Sequence, residues 1–299
     1  MPTVFDQSIG CFVIGTFLTL FLGGITTLQA IAYFNTPQAQ NDKLTIKALV
    51  SSLLVLDTFH SACCCHTVYY YAVTNFANPQ ALIGAPWTFG VDPCLVGTIA
   101  SACQVFFAYR VWIISKKCTL PIIILTLSAI QLGFSFGATG IIFKFNDFGR
   151  AQEWAYGIMI WLVTAALNIS ITVSLTYYLR KAAEGTFQRS QTLVNRIALN
   201  TFETNGLTLA IALLDAALFI AWPNVAWHVI PNFMLPKLYF NSVLVSLNSR
   251  QALSLLHATV HPVATATLDR RWTISRPTAR SGSDEVLDMQ QSHMAAEAA

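Results

Sequence analysis

Ile9–Tyr33 reads IGCFVIGTFLTLFLGGITTLQAIAY, without a single charged side chain. A helix rises about 1.5 Å per residue, so a run of this length crosses the roughly 30 Å hydrocarbon core of a bilayer. The run is continuous rather than alternating, which suits a helix and not a strand of a membrane barrel. Six further stretches share its character: Ile46–Val73, Cys94–Ile114, Leu120–Phe143, Trp154–Leu179, Thr204–Trp222 and His228–Asn248. The expected fold is therefore an all-α membrane protein, a bundle of seven transmembrane helices.

Composition agrees with that expectation. Of 299 residues, 55% are hydrophobic and only 10% are charged, with a mean hydropathy of +0.55. Soluble domains carry about 25% charged residues, and a water-facing surface needs them. Lipid is the solvent for a surface so poor in charge. A net charge of +3 is too small to argue for a nucleic-acid partner. The seven Cys lie mostly inside apolar runs with no CxxC spacing, which argues against a disulfide framework. Polar breakers such as Asn35-Thr36-Pro37, Asn78-Pro79 and Trp222-Pro223-Asn224 separate the runs. The Pro-Gln pairs at 37–38 and 79–80 fall in consecutive loops, so they mark no internal repeat.

The placement of basic residues orients the bundle. With the N-terminus outside, Lys43, Lys47, Arg110, Lys116, Lys117, Arg180, Lys181, Arg189, Arg196, Arg250, Arg270, Arg271, Arg276 and Arg280 all fall on the inner side. Of the seventeen Lys and Arg, only Lys144, Arg150 and Lys237 do not. Cytoplasmic loops hold the excess of Lys and Arg, so the expected topology is N-terminus outside and C-terminus cytosolic. Residues 1–253 form the expected membrane domain. The segment Arg180–Asn200 is the longest inner loop, and it is expected to extend the helices on either side into the cytosol. The tail, 254–299, loses its apolar content and is expected to be disordered from about residue 270, with Thr273, Ser275, Thr278, Ser281 and Ser283 as phosphorylation candidates or as plain solvated residues.

Several stretches resemble a family of uncharacterised seven-helix integral membrane proteins of mushroom-forming fungi. They are Leu28–Phe34 (LQAIAYF), Leu56–His60 (LDTFH), Gln104–Trp112 (QVFFAYRVW), Leu175–Leu179 (LTYYL) and above all Lys237–Arg250 (KLYFNSVLVSLNSR). The resemblance covers most of the chain up to about Leu253. It implies that about 168–253 is the family's C-terminal domain of unknown function, and it implies no activity.

Ionisable groups inside a span are costly, so each needs a reason. Asp57 and His60 lie near the middle of the second span, and their i, i+3 spacing puts them on one face. Two readings are open: a relay or ligand site, or a static polar network that fixes helix packing. Lys237 and Asp215 form a second pair. Each lies about 10–14 Å below the outer end of its helix, so an ion pair between the last two spans is expected. A retinal-type Schiff base on Lys237 with Asp215 as counter-ion is the sharper alternative, although no carboxylate lies in the third span, Cys94–Ile114. Arg110 and Glu203 form a third pair, both at inner helix ends, where receptors hold an arginine–acid lock. Their plain reading is a positive-inside arginine beside a solvated acid. Asn241 lies one turn beyond Lys237.

Cys63-Cys64-Cys65-His66 offers soft ligands, but neighbouring residues on a helix point about 100° apart and do not converge on one ion. No metal is expected from that run, and no cofactor. Cys118, beside Lys116 and Lys117, is either a palmitoylation site or an ordinary thiol. No nucleophile elbow, HExxH, phosphate loop or dinucleotide fingerprint occurs, so no enzyme is expected. The functional expectation is a receptor-like sensor of the plasma membrane. Its intramembrane polar site would be formed by Asp57, His60, Asp215, Lys237 and Asn241, and a cytosolic signalling partner would meet the Arg110/Glu203 end and the fifth loop. The alternative is a small-molecule or ion carrier or channel.

Overall fold

The structure is a computed structural model that describes residues 4–76, 78, 84–145, 155–184, 188–222 and 225–249. These residues fall within one compact unit, Met1–Leu253. The tail and its phosphorylation candidates lie outside the described residues, as do Arg150 and Arg250.

Among the described residues, each apolar stretch that the sequence marks as a span is mostly helical. The long helices are α1 (Val4–Phe34), α2 (Leu44–Tyr69), α3 (Asp92–Ser115), α4 (Thr119–Phe145), α5 (Ala155–Glu184), α6 (Gln188–Ala221) and α7 (residues 229–249). No strand occurs among the described residues. Among the described residues, five stretches are long and apolar enough to cross a membrane: Ile9–Phe34, Leu44–Thr74, Trp87–Ser115, Thr119–Lys144 and Glu203–Ala221. The chain is an all-α, multi-pass membrane protein.

The helix ends follow local chemistry. A short turn, Pro37–Asn41, links α1 to α2 and is capped by Thr36, whose Oγ1 accepts from the Ala39 amide at 3.0 Å. Beyond Tyr69, α2 widens into a π-helical turn at Tyr70–Thr74. Asp92 lies in the first turn of α3 with Pro93 just behind it, where a missing N–H costs nothing and an acid meets the positive helix end. Lys116 closes α3 with φ = 52°, a left-handed conformation more usual for Gly at this position. The described part of the segment Arg180–Asn200 is helical: α5 runs to Glu184 and α6 starts at Gln188.

Apolar and polar side chains are distributed inside out. Phe17, Phe21 and Leu28 of α1 are 68%, 69% and 69% exposed, forming an outward apolar stripe at helical spacing. The buried set, by contrast, includes Asp57, His60, Asp92, Gln104, Gln131, Asn168, Asp215 and Lys237. Lipid accepts the stripe, and polar side chains bridge the helices inside.

Consecutive helices pack as neighbours from α1 to α6, and α3 also meets α5. α7 is the buried member, with almost every side chain from Phe233 to Leu247 buried or half-buried. Its hydrogen bonds reach most of the other helices. Thr19 Oγ1 of α1 donates to the Phe233 carbonyl at 2.8 Å, and Asn248 Nδ2 donates back to the Gln29 carbonyl at 3.1 Å. Asn168 Nδ2 of α5 donates to the Tyr239 hydroxyl at 3.2 Å. Hydrogen bonds to α2, α3 and α6 complete the set.

The α3–α4 contact is tight at one glycine. A Cβ on Gly97 would overlap both Cβ and Oγ of Ser135. Gly97→Ala is therefore expected to cost about 1–3 kcal/mol, as overpacked sites do. Thermal unfolding in detergent micelles measures it. Ser135→Ala added to Gly97→Ala should not restore stability, because Cβ itself is part of the overlap; Ser135→Gly should restore part of it.

Candidate functional site

Lys237 lies wholly buried in the middle of α7, and all its polar contacts run to α2. Its Nζ donates to Asp57 Oδ1, to the Asp57 carbonyl and to Ser61 Oγ, each at 2.7 Å. An ammonium has three N–H donors, so its capacity is filled. Ser61 Oγ in turn donates to the Asp57 carbonyl at 3.0 Å, closing a triangle one helical turn deep. The other carboxylate oxygen of Asp57 lies 3.4 Å from Thr26 Oγ1 of α1, whose hydroxyl also donates to the Gly23 carbonyl at 3.0 Å. Three helices therefore meet at one ion pair. In a low-dielectric interior this geometry is what makes a buried charge tolerable: an opposite charge in contact and every donor satisfied.

The expected Lys237–Asp215 pair is corrected by this arrangement. Asp215 is buried on α6, and its Oδ2 accepts from Asn232 Nδ2 of α7 at 3.3 Å. Asn232 precedes Lys237 by five residues, roughly 140° around the helix at about 100° per residue. The face of α7 that meets α6 is therefore not the face that carries Lys237. Depth along the helix made Asp215 a candidate partner, and azimuth excludes it.

Asp57 and His60 share a side of α2 but bond to different neighbours. His60 Nε2 lies 3.0 Å from Asp92 Oδ1 of α3, with side chains 0% and 9% exposed. Cys64, one turn along α2, places Sγ 3.8 Å from both ring nitrogens of His60. The Phe233 ring meets the His60 ring edge-on, with centroids 6.0 Å apart. The span Cys94–Ile114 holds no carboxylate, as read, but the helix starts two residues earlier and brings Asp92 into the bundle. Asp92-Pro93 resembles loop punctuation in a bare sequence, yet α3 begins with it.

Asn241 is half-buried one turn after Lys237, and its Oδ1 is buried without a hydrogen-bond partner among the described residues. Ser101 Oγ and Gln104 Oε1 of α3 share that condition, although Gln104 Nε2 donates to Gln131 Oε1 at 2.8 Å. At the other end of the bundle, half-buried Arg110 of α3 hydrogen-bonds Ser246 Oγ of α7. Glu203 is exposed on α6. The structure pairs Lys237 with Asp57 and sets His60 against Asp92, whereas Arg110 meets Ser246 and Glu203 stays exposed on α6.

Sequence reasoning missed Ser61, Asp92 and Ser246, and considered Cys64 only as part of the Cys63–His66 run. Ser61 and Cys64 were detectable in principle, each four residues beyond a named ionisable residue and so on the same face. Asp92 and Ser246 come from other helices, and no local spacing reveals them.

Residues 164–252 match the model of a family of unknown function, DUF6534, a stretch that takes in most of α5 with all of α6 and α7. No curated protein and no solved structure matches the chain.

Proposed function

We propose that this chain is a receptor-like sensor of seven spanning helices, with its N-terminus outside and its C-terminus in the cytosol. The basic residues support the orientation. Lys43, Lys47, Lys116, Lys117 and Lys181 flank the helix ends on one side of the bundle, and Lys144 flanks an end on the other. The same reading places the protein in the plasma membrane and assigns it no catalytic step. Protease treatment of intact cells checks the topology: an N-terminal tag should be cleaved and a C-terminal tag protected, and the reverse pattern contradicts it.

The observation that carries the sensor reading is the Lys237–Asp57 pair. It ties α7 to α2 inside the membrane, while Arg110 ties the same α7 to α3 toward the other end. One buried helix therefore links an intramembrane polar site to the end where a cytosolic partner would dock. A ligand that competes for Lys237 or Asp57 frees α7 and alters that end. Such a coupling requires two states of α7 that the ligand distinguishes.

Native cysteines provide the test. Cys103 of α3 is fully buried, and Cys118 is exposed between α3 and α4. In membranes, a water-soluble maleimide should modify Cys118 equally in the parent chain and in Asp57→Asn, whereas Cys103 should react at least several-fold faster in Asp57→Asn. Equal Cys103 rates with the fold retained would remove the coupling.

A carrier is the second reading, supported by the unpartnered acceptors of Ser101, Gln104 and Asn241 on α3 and α7. Those groups would suit a polar path. Ion or solute flux in reconstituted vesicles that disappears with Asp57→Asn would favour it over the sensor.

A further inference from the structure

We propose that His60, Cys64 and Asp92 form a binding site for one zinc-class divalent ion that ties α2 to α3. Their ligand atoms all lie within 4.8 Å of one another, and all three residues are buried. The separations suit a shared ion. Zinc binds imidazole nitrogen and carboxylate oxygen at about 2.0–2.2 Å and thiolate sulfur at about 2.3 Å. Two such ligands at a tetrahedral angle stand roughly 3.2–3.8 Å apart by that geometry. The chain holds Sγ and Nε2 at 3.8 Å, at the upper end of that range, Nε2 and Oδ1 at 3.0 Å, slightly inside it, and all three ligand atoms within 4.8 Å, so a small side-chain adjustment closes them on one ion.

Topology supports the set as well. His60 and Cys64 are four residues apart on α2 and so face the same way, which is the spacing that lets one helix supply two ligands. Asp92 is delivered from the first turn of α3. The site differs from the Cys63-Cys64-Cys65-His66 run, whose members fan out around the helix. Cys65 is exposed, and His66 bonds Thr88 Oγ1 at 3.0 Å instead.

Charge supports a divalent ion. Lys237 is already matched by Asp57. On binding, Cys64 releases its proton to solvent, and Nε2 of His60 gives up any proton it carries, so that the neutral imidazole ligates while thiolate and carboxylate together supply two negative charges. One divalent cation makes the group neutral in a medium that penalises net charge. Mixed nitrogen, sulfur and oxygen ligation favours zinc over magnesium or calcium, which select oxygen. Three protein ligands leave a fourth position for water or a small molecule.

The full-length chain, freed of its purification tag, treated with chelator and held in detergent or nanodiscs, is titrated with Co2+ as the optical probe. A thiolate-to-cobalt charge-transfer band saturating at one equivalent and displaced by Zn2+ is expected. Cys64→Ser should abolish the band. His60→Gln and Asp92→Asn should each weaken Zn2+ by more than about tenfold, the loss expected even for a supporting partner of a metal ligand. Cys65→Ser should leave both signals intact. Absence of the band in the unaltered chain overturns the site, whatever the folding of any variant. Persistence of the band in Cys64→Ser also overturns it.

Discussion

Lys237→Met lowers the stability of the helix bundle by about 3–5 kcal/mol, the range for removing one partner of a buried ion pair. The size comes from what remains rather than from what is removed. Asp57 is 2% exposed, and without the ammonium its carboxylate keeps only a long contact with Thr26. Ser61 Oγ also loses its donor, and the Asp57 carbonyl loses one of its donors while keeping the Ser61 hydroxyl. Met conserves the stem and its packing, so the deficit reports charge and hydrogen bonding. Reversible unfolding in mixed micelles, followed by far-ultraviolet circular dichroism, gives the value. A loss within about 0.5 kcal/mol, the scale of an ordinary surface substitution, would mean that the pair carries no weight.

Phe240→Ala is the second large effect, at about 2–3 kcal/mol, toward the low end of the range for large-to-small core changes. Phe240 lies on α7 with no exposed surface, inside the cluster that includes Ile99, Cys103, Leu167, Tyr239 and Val243. In water the loss would combine a transfer penalty with a cavity penalty. In a membrane the separated helices remain in lipid, which is as apolar as the core, so the transfer part largely vanishes. The cavity and its lost dispersion contacts remain. Phe17→Ala is the matched control. Phe17 is 68% exposed toward lipid, and its truncation should cost under about 0.5 kcal/mol in the same assay.

Those two residues illustrate how far the sequence could be read. Long uncharged runs identified the helices, because spanning length and backbone self-satisfaction leave few alternatives in a bilayer. The sequence also marked Lys237 and Asp57 as buried charges that needed a reason. It paired Lys237 with the wrong acid, since helical rise gives depth whereas the rotation of one helix against its neighbours is set by packing. Asp92 was lost for a different reason. Asp followed by Pro marks a turn as readily as it starts a helix, and only the three-dimensional fold shows that α3 begins there. The centrality of α7 was equally hidden. Its apolar content resembles that of the other spans, and its polar residues show their purpose only once Thr19, Gln29, Asp57, Arg110, Asn168 and Asp215 are seen around it.

The arrangement gives the candidate site its character. Polar contacts at different heights on α2 hold it to α7 through Lys237 and to α3 through Asp92, so α2 is the element that the two polar clusters share. A sensor built this way would store its two states in the partners of Lys237.

The partner of Lys237 is most directly tested by parallel double-mutant cycles on unfolding free energy, one combining Lys237→Met with Asp57→Leu and the other combining it with Asp215→Leu. A pair in contact couples, and residues without shared partners add. The expected result is a coupling of about 2–3 kcal/mol between 237 and 57, with the 237 and 215 effects additive within about 0.5 kcal/mol. Additivity at 57, or the larger coupling at 215, would contradict the account.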